Sequence, residues 1–312
     1  MYISEQEVRS VLTYEALIPA IRQALIDFSA GRVNQPARMI LRAGNADDHR
    51  NGWFAVMPVV AGDYMGVKTV TWYPGNDALG LHTHMAIVEL LSRKTGEPLA
   101  VMDGRLITEM RTAAVSAVAY AALAPLHFDA APKSFGVLGS GVQARAHIEA
   151  LKHVWPEMGE IRVWSRNSAN ANRLAVETGG RAVAIEDASS ADVVLTATSA
   201  QVPVLKGELL SSNALVLAVG ATGASIREID DEAMLSSFVV AESRSCVERE
   251  SGDVLLSGAK VQADLGEILA NPSGAEIPRD GRVISKSVGM AIEDVTAARL
   301  VWEARRKSPT EG

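Results

Sequence analysis

The chain has 312 residues, 48% of them hydrophobic and 21% charged, with a formal net charge of −7. That balance belongs to a globular protein with interior enough for one large domain or two medium ones, and it excludes collagen-like, solenoid and low-complexity architectures. An acidic chain without a Lys/Arg cluster argues against nucleic acid as a partner, and the single cysteine, Cys246, excludes an internal disulfide and reads as a small buried hydrophobe.

At the N-terminus, Glu5, Glu7 and Arg9 stand where a signal peptide needs an apolar run. The longest apolar stretch, Ala113 to Leu126, contains Ser116 and is expected to be too short to span a bilayer. A cytoplasmic protein with no membrane partner is the expectation. Ser4-Glu5-Gln6-Glu7 is a capping-box pattern, and a second helix follows Thr13, with Pro19 near its first turn and Gly31 at its end. Gln35 to Leu41 reads as a strand entered through Pro36, and the polar stretch Ala43 to Gly52 as a turn. Strands are expected over Trp53 to Val60, Gly66 to Tyr73, His84 to Leu91 and Leu99 to Met102. This half reads as an α+β domain on a meandering sheet.

Thr108 is placed to cap a long Ala-rich helix ending at Pro125. Beyond it, strands alternate with helices: Ser134 to Leu138, Ile161 to Trp164, Ala182 to Ile185, Val193 to Ala197, Leu215 to Val219, Phe238 to Ala241 and Val283 to Ile284. Such alternation implies right-handed crossovers and a parallel sheet. Ile292 to Arg305 is a last helix that returns to the first domain, and Lys307 to Gly312 a disordered tail. The fold class is therefore α/β: a Rossmann-type parallel-sheet domain over 121–292, plus an α+β domain over 1–120 with 293–312.

The chemistry centres on Gly139-Ser140-Gly141-Val142-Gln143-Ala144 between an apolar strand and a helix. In this pattern Gly139 makes the tight turn, Gly141 lets backbone approach a pyrophosphate, and small Ala144 lets helix and strand pack closely. The second strand ends in Ser165-Arg166-Asn167-Ser168, without the carboxylate that holds a ribose 2′-OH; Arg166 and the serines suit a 2′-phosphate, so NADPH is favoured over NADH. Thr198, just after the strand Val193 to Ala197, and Val219, at the end of the strand Leu215 to Val219, are further candidate cofactor-binding residues.

Three cations sit in apolar settings: Arg38, Lys68 in Met65 to Thr71, and Arg111, which with Thr112 falls in the first turn of the Thr108 helix. A cation at that end of a helix needs an anion beside it, and a substrate carboxylate would supply one. His82 and His84 read as loop histidines, His84 near the substrate; no cluster supports a metal site.

Glu109 to Ala114, Gly139 to Ala144, Glu250-Ser251-Gly252-Asp253-Val254 and Lys286 to Asp294, in this order, resemble the ornithine cyclodeaminase/mu-crystallin family over nearly the whole chain. Val101 to Gly104 and Glu250 to Gly258 resemble its mu-crystallin, ketimine reductase branch. The resemblance implies a homodimer, a carboxylate-binding role for Arg38, Lys68 and Arg111, and a place near the nicotinamide ring for the segment containing Ser287 and Met290. One departure matters. Where the family's cyclodeaminases place an aspartate, this chain has Thr222 in Gly220-Ala221-Thr222-Gly223, and a threonine is no base near neutral pH. The expected activity is NADPH-dependent reduction of cyclic imino acids. The alternatives are an alanine dehydrogenase-like reductase of open-chain imines, an ornithine cyclodeaminase, and a non-catalytic cofactor-binding protein.

Overall fold

The computed structural model describes residues 1–43 and 52–307. Its packing divides the chain into two units, Met1–Arg111 with Met290–Gly312 and Thr112–Gly289. The boundaries expected at 120 and 293 move to 111 and 290. The first shift has a physical reason, since Arg111 is ion-paired to Glu293 and Asp294 of its own unit.

In the first unit, β1 (Tyr2–Ile3) leads through the Ser4 capping box into α1 (Glu5–Val11), and Thr13 caps α2 (Tyr14–Ser29). Pro19 lies in the second turn of α2, one turn later than expected. The strand expected over Gln35 to Leu41 is two strands, β2 (Val33–Asn34) and β3 (Met39–Arg42). A proline has no amide N–H for a ladder, and the chain around Pro36 leaves the sheet. The expected turn falls at 44–51, outside the described residues. Then come β4 (Trp53–Ala61), β5 (Tyr64–Trp72), β6 (His84–Ser92), which includes the expected loop residue His84, and β7 (Pro98–Asp103). The sheet runs β1-β7-β6-β5-β4-β2, with β3 also on β4; only the β1–β7 pair is parallel.

The last helix, Ala291–Lys307, covers one face of this sheet. On that face Ala55, Met57, Gly66, Lys68, Val88 and Leu90 are buried. The alternate residues point the other way. Met85 is 42% and Ile87 49% exposed there.

The helix α3 (Arg105–His127) starts three residues before Thr108, because the Asp103 carboxylate accepts the Arg105 N–H at 2.9 Å. It also runs through Pro125, past the expected end, although Pro125 has no N–H to donate to the Ala121 carbonyl. With 23 residues it is long and apolar enough to cross a membrane by length and composition, contrary to the sequence expectation. Of its most apolar window 67% is buried inside the protein, the pattern of a core helix.

The second unit comprises β8 (Ser134–Leu138), α4 (Val142–Val154), β9 (Glu160–Trp164), α5 (Ser168–Thr178), β10 (Arg181–Ala182), α6 (Ile185–Ser189), β11 (Val193–Thr196) and β12 (Leu215–Ala218). It continues with α7 (Asp231–Leu235), β13 (Ser237–Ala241), α8 (Arg244–Glu250), α9 (Gly252–Ser257), β14 (Ala263–Asp264), α10 (Leu265–Ala270) and β15 (Arg282–Lys286), before α11 (Ala291–Lys307) returns to the first unit. The strand expected over Ala182 to Ile185 is shorter, because Ile185 opens α6 with Glu186 and Asp187 in its first turn, the favourable end for acids. All eight strands pair in parallel, in the order β10-β9-β8-β11-β12-β15-β13-β14. The order reverses between β8 and β11, the crevice where open α/β sheets bind ligands.

Candidate active site

The candidate dinucleotide site lies at the β8–α4 turn of the second unit. Gly139 has φ +127°, and a Cβ there would stand 2.3 Å from the Ala197 carbonyl, so the turn tolerates no side chain. A Cβ on Gly141 would meet nothing within 4 Å. Gly141 is therefore not needed for packing, and its open surface is what backbone approach to a pyrophosphate requires. Gly141 begins α4 without a side-chain cap, leaving first-turn amides pointed at this surface. Val142 is exposed, Gln143 Oε1 is buried with no hydrogen-bond partner among the described residues, and Ala144 is sealed against the sheet. These features fit a dinucleotide.

Beyond β9, Ser140 donates to Ser165 at 2.8 Å, tying the turn to the second strand tip. Arg166 is exposed at that tip. Asn167 has a structural duty, since its side chain accepts the Asn170 N–H at 3.2 Å as the cap of α5, where Ser168 is the first residue.

Past β11 and β12 a buried carboxylate, Glu228, holds the strand ends together. It accepts hydrogen bonds from Thr196 Oγ1 (3.0 Å), Thr198 N (2.7 Å), Thr198 Oγ1 (2.6 Å) and Gly220 N (2.8 Å). Burial raises its pKa, and Lys286 and the Thr198 bonds oppose the rise. Asp253 accepts the amides of Glu228 (2.8 Å) and Ile229 (3.0 Å) and pairs with Lys286 Nζ at 2.8 Å; Lys286 also donates to the Ala221 carbonyl at 3.0 Å. Thr198 is thus committed to Glu228. Val219 and Ser287 are buried, the Ser287 N–H donating to the Ala218 carbonyl at 3.1 Å, and Thr222 lies half-buried in the loop that Lys286 anchors. Met290 is buried and is the first residue of the segment that belongs to the first unit. Asp230, as its position suggested, caps α7.

A second candidate site lies in the first unit. Lys68 is on the α11 face of β5, and both Lys68 and Arg111 reach the first turn of α11. Lys68 Nζ stands 2.7 Å from Asp294 Oδ2, Arg111 Nε donates to Asp294 Oδ1 at 3.0 Å, and Arg111 Nη1 donates to Glu293 Oε2 at 2.7 Å. All four side chains are buried. Gly66, two residues before Lys68 on the same face, lets α11 come this close: a Cβ there would stand 2.9 Å from Val295. Gln35 Oε1 accepts the Ile292 N–H at 2.9 Å, tying the segment that carries Arg38 to the start of α11.

Burial lowers the Lys68 pKa to about 8; Asp294 resists that fall, while Arg111 and Arg38 add to it. Arg38 is thereby close enough for its charge to be felt at Lys68. His84, at the start of β6, is exposed; desolvation first, then Lys68 and Arg111, lower its pKa to about 4, so the ring is neutral. Burial raises Glu293, and Arg111 opposes the rise. Arg38, Lys68, Arg111 and His84 therefore belong to one cluster.

Arg111 corrects one expectation. With α3 starting at Arg105, Arg111 lies in the second turn, and its counter-anions are Glu293 and Asp294 rather than a ligand alone. Thr112, the next residue, points about 100° away around the helix. Reading the sequence gives Glu293, Asp294, Glu228, Asp253 and Lys286 no role in these networks; Lys286, Glu293 and Asp294 do interrupt apolar stretches, whereas Glu228 lies among Arg227, Asp230 and Asp231, where no such signal exists.

The sequence pattern of the ornithine cyclodeaminase/mu-crystallin family matches residues 1–308. The chain is 38% identical to the ketimine reductase mu-crystallin of Mus musculus over 313 residues, covering 97% of this chain and 96% of that protein. Its fold is similar to that of Thermococcus litoralis Delta(1)-pyrroline-2-carboxylate reductase in complex with NADH and L-proline (TM-score 0.89, 30% identity, 98% of this chain and 97% of that one). It is also similar to an archaeal alanine dehydrogenase dimer with bound NAD (TM-score 0.90, 27% identity, 98% and 96%). With a match over nearly its whole length and the motifs of both units in place, the chain belongs to the ornithine cyclodeaminase/mu-crystallin family.

Proposed function

We propose that the protein reduces cyclic 2-imino carboxylates, Delta(1)-pyrroline-2-carboxylate or Delta(1)-piperideine-2-carboxylate, to L-proline or L-pipecolate with NADPH. At the coarser level it is a nicotinamide-dependent oxidoreductase acting on C=N bonds, the chemistry named for its family relatives. The observation that carries the finer reading is the pairing of buried Lys68 and Arg111 on the start of α11, with half-buried Arg38 near enough for its charge to act on Lys68. Three cations against Glu293 and Asp294 leave at least one positive charge, the complement of one carboxylate.

When bound, the dinucleotide supplies the hydride. Gly139 to Gln143 would hold its pyrophosphate, and Arg166 with Ser165 supports a preference for the 2′-phosphate. Arg111 and Arg38 grip the substrate carboxylate and fix the ring plane, which is catalysis by orientation. Lys68 holds the proton: its ammonium protonates the imine nitrogen, hydride adds to the imine carbon, and the neutral amine regains a proton from water. A group with a pKa near the working pH suits that task. His84, neutral, adds no competing charge. Thr222, a hydroxyl where deaminative cyclisation uses a carboxylate, supports reduction over ring closure. The open apolar face of the first unit's sheet, with Met85 and Ile87, supports a homodimer.

NADPH oxidation against a panel of cyclic and open-chain 2-imino acids tests the reading, with L-ornithine plus NAD as the contrast. Cyclic ketimines are expected to turn over fastest. Turnover of ornithine without any ketimine reduction would overturn it.

A further inference from the structure

The two carboxylates at the start of α11 divide their work unequally. Asp294 uses both oxygens on different elements, Oδ2 on Lys68 of β5 at 2.7 Å and Oδ1 on Arg111 of α3 at 3.0 Å. Among the described residues the Glu293 carboxylate pairs with Arg111 alone, through Oε2, and its buried Oε1 has no hydrogen-bond partner. Asp294 is thus the one side chain in the cluster that bridges the amine and the guanidinium. It is wholly buried, so water does not compete for it.

We infer that Asp294 is a positioning residue for the reaction, a carboxylate that fixes Lys68 Nζ and Arg111 relative to each other and keeps Lys68 in its ammonium form until the imine arrives. The inference rests on the reading that Lys68 serves the imine. Besides Asp294, the charges that act most on Lys68 oppose the ammonium: Arg111 from α3 and Arg38 from the link between β2 and β3. His84 from β6 is neutral, and Glu293 spends its bond on Arg111. Without Asp294 the amine would stand buried among cations and lose its proton at lower pH. A carboxylate held by two cations also leaves their remaining N–H groups aimed by a fixed geometry, which loose lysine and arginine side chains lack.

The test compares Asp294→Asn with Glu293→Gln in the full-length protein. For Asp294→Asn, the alkaline limb of the kcat/KM profile is expected to move to lower pH by about one to three units, with NADPH affinity unchanged. For Glu293→Gln the limb is expected to stay, with KM raised through Arg111. Asp294→Glu, which keeps the charge, restores the limb and serves if the amide variant folds poorly. The titration of Lys68 in the free protein, read by competitive acetylation and mass spectrometry, gives the same comparison without turnover. A midpoint that falls in Asp294→Asn and holds in Glu293→Gln supports the assignment even if wild-type protein reduces no ketimine, an outcome that would overturn the functional reading alone. A limb and midpoint unmoved in Asp294→Asn, or moved equally in both variants, would overturn the assignment.

Discussion

Lys286 Nζ lies 2.8 Å from Asp253 Oδ2, with both side chains fully buried at the end of β15 and the start of α9. Asp253 also accepts the Glu228 and Ile229 amides, and Lys286 donates to Ala221, so one ion pair ties the loops after β12 to the neighbouring strand. Removing one partner leaves a buried charge without compensation. Asp253→Ala is expected to destabilise the protein by about 3–5 kcal/mol in chemical denaturation. The double variant Asp253→Leu with Lys286→Met should cost less than the sum of the singles, because it removes both charges. Additive costs would show the pair to be uncoupled.

The two glycines of the β8–α4 turn should separate folding from binding. Gly139→Ala forces a side chain toward the Ala197 carbonyl at a positive φ, so its melting temperature should fall. Gly141→Ala projects into open surface and should fold normally while binding dinucleotide weakly. Calorimetry of the empty protein and a fluorescence titration with NADPH read the two effects. Unchanged NADPH affinity in Gly141→Ala would count against the turn as the pyrophosphate site.

Cofactor choice should rest on Arg166. Arg166→Ala is expected to narrow the gap between NADPH and NADH affinities by the worth of a charge-assisted phosphate contact, about 1.5–3 kcal/mol. Equal affinity of wild-type protein for both cofactors would remove the basis of this preference.

For the clamp, Arg111→Ala should mainly raise KM, whereas Lys68→Ala should also lower kcat. The sign of the pH dependence follows from the lowered Lys68 pKa of about 8. The ammonium is present below that value and lost above it, so kcat/KM should fall as pH rises through about 8. A profile flat to pH 10 would take the proton-donor role away from Lys68.

The uncovered face of the first unit's sheet should be closed by a second copy, as in the commonest closed symmetry. Light scattering is expected to report about twice the 33.1 kDa chain mass. Ile87→Lys, on that face, should shift the protein toward monomer.

The sequence by itself determined most of the element order, because period and punctuation are local. Ser4 and Thr13 cap the helices their patterns announced, and the strand after Lys133 leads into Gly139 as the motif requires. Arg38, Lys68 and Arg111 were legible as a group because each interrupts an apolar run. Local pattern misled where a distant or competing partner decided the outcome: Asp103 took the start of α3 from Thr108, and Arg111 left the helix end where an anion had seemed necessary. What only tertiary structure decided is which charges meet. Lys68 and Asp294 are 226 positions apart in the chain, yet the close seat of α11 over Gly66 puts them 2.7 Å apart, and the cost of burying either charge alone makes each the condition for the other.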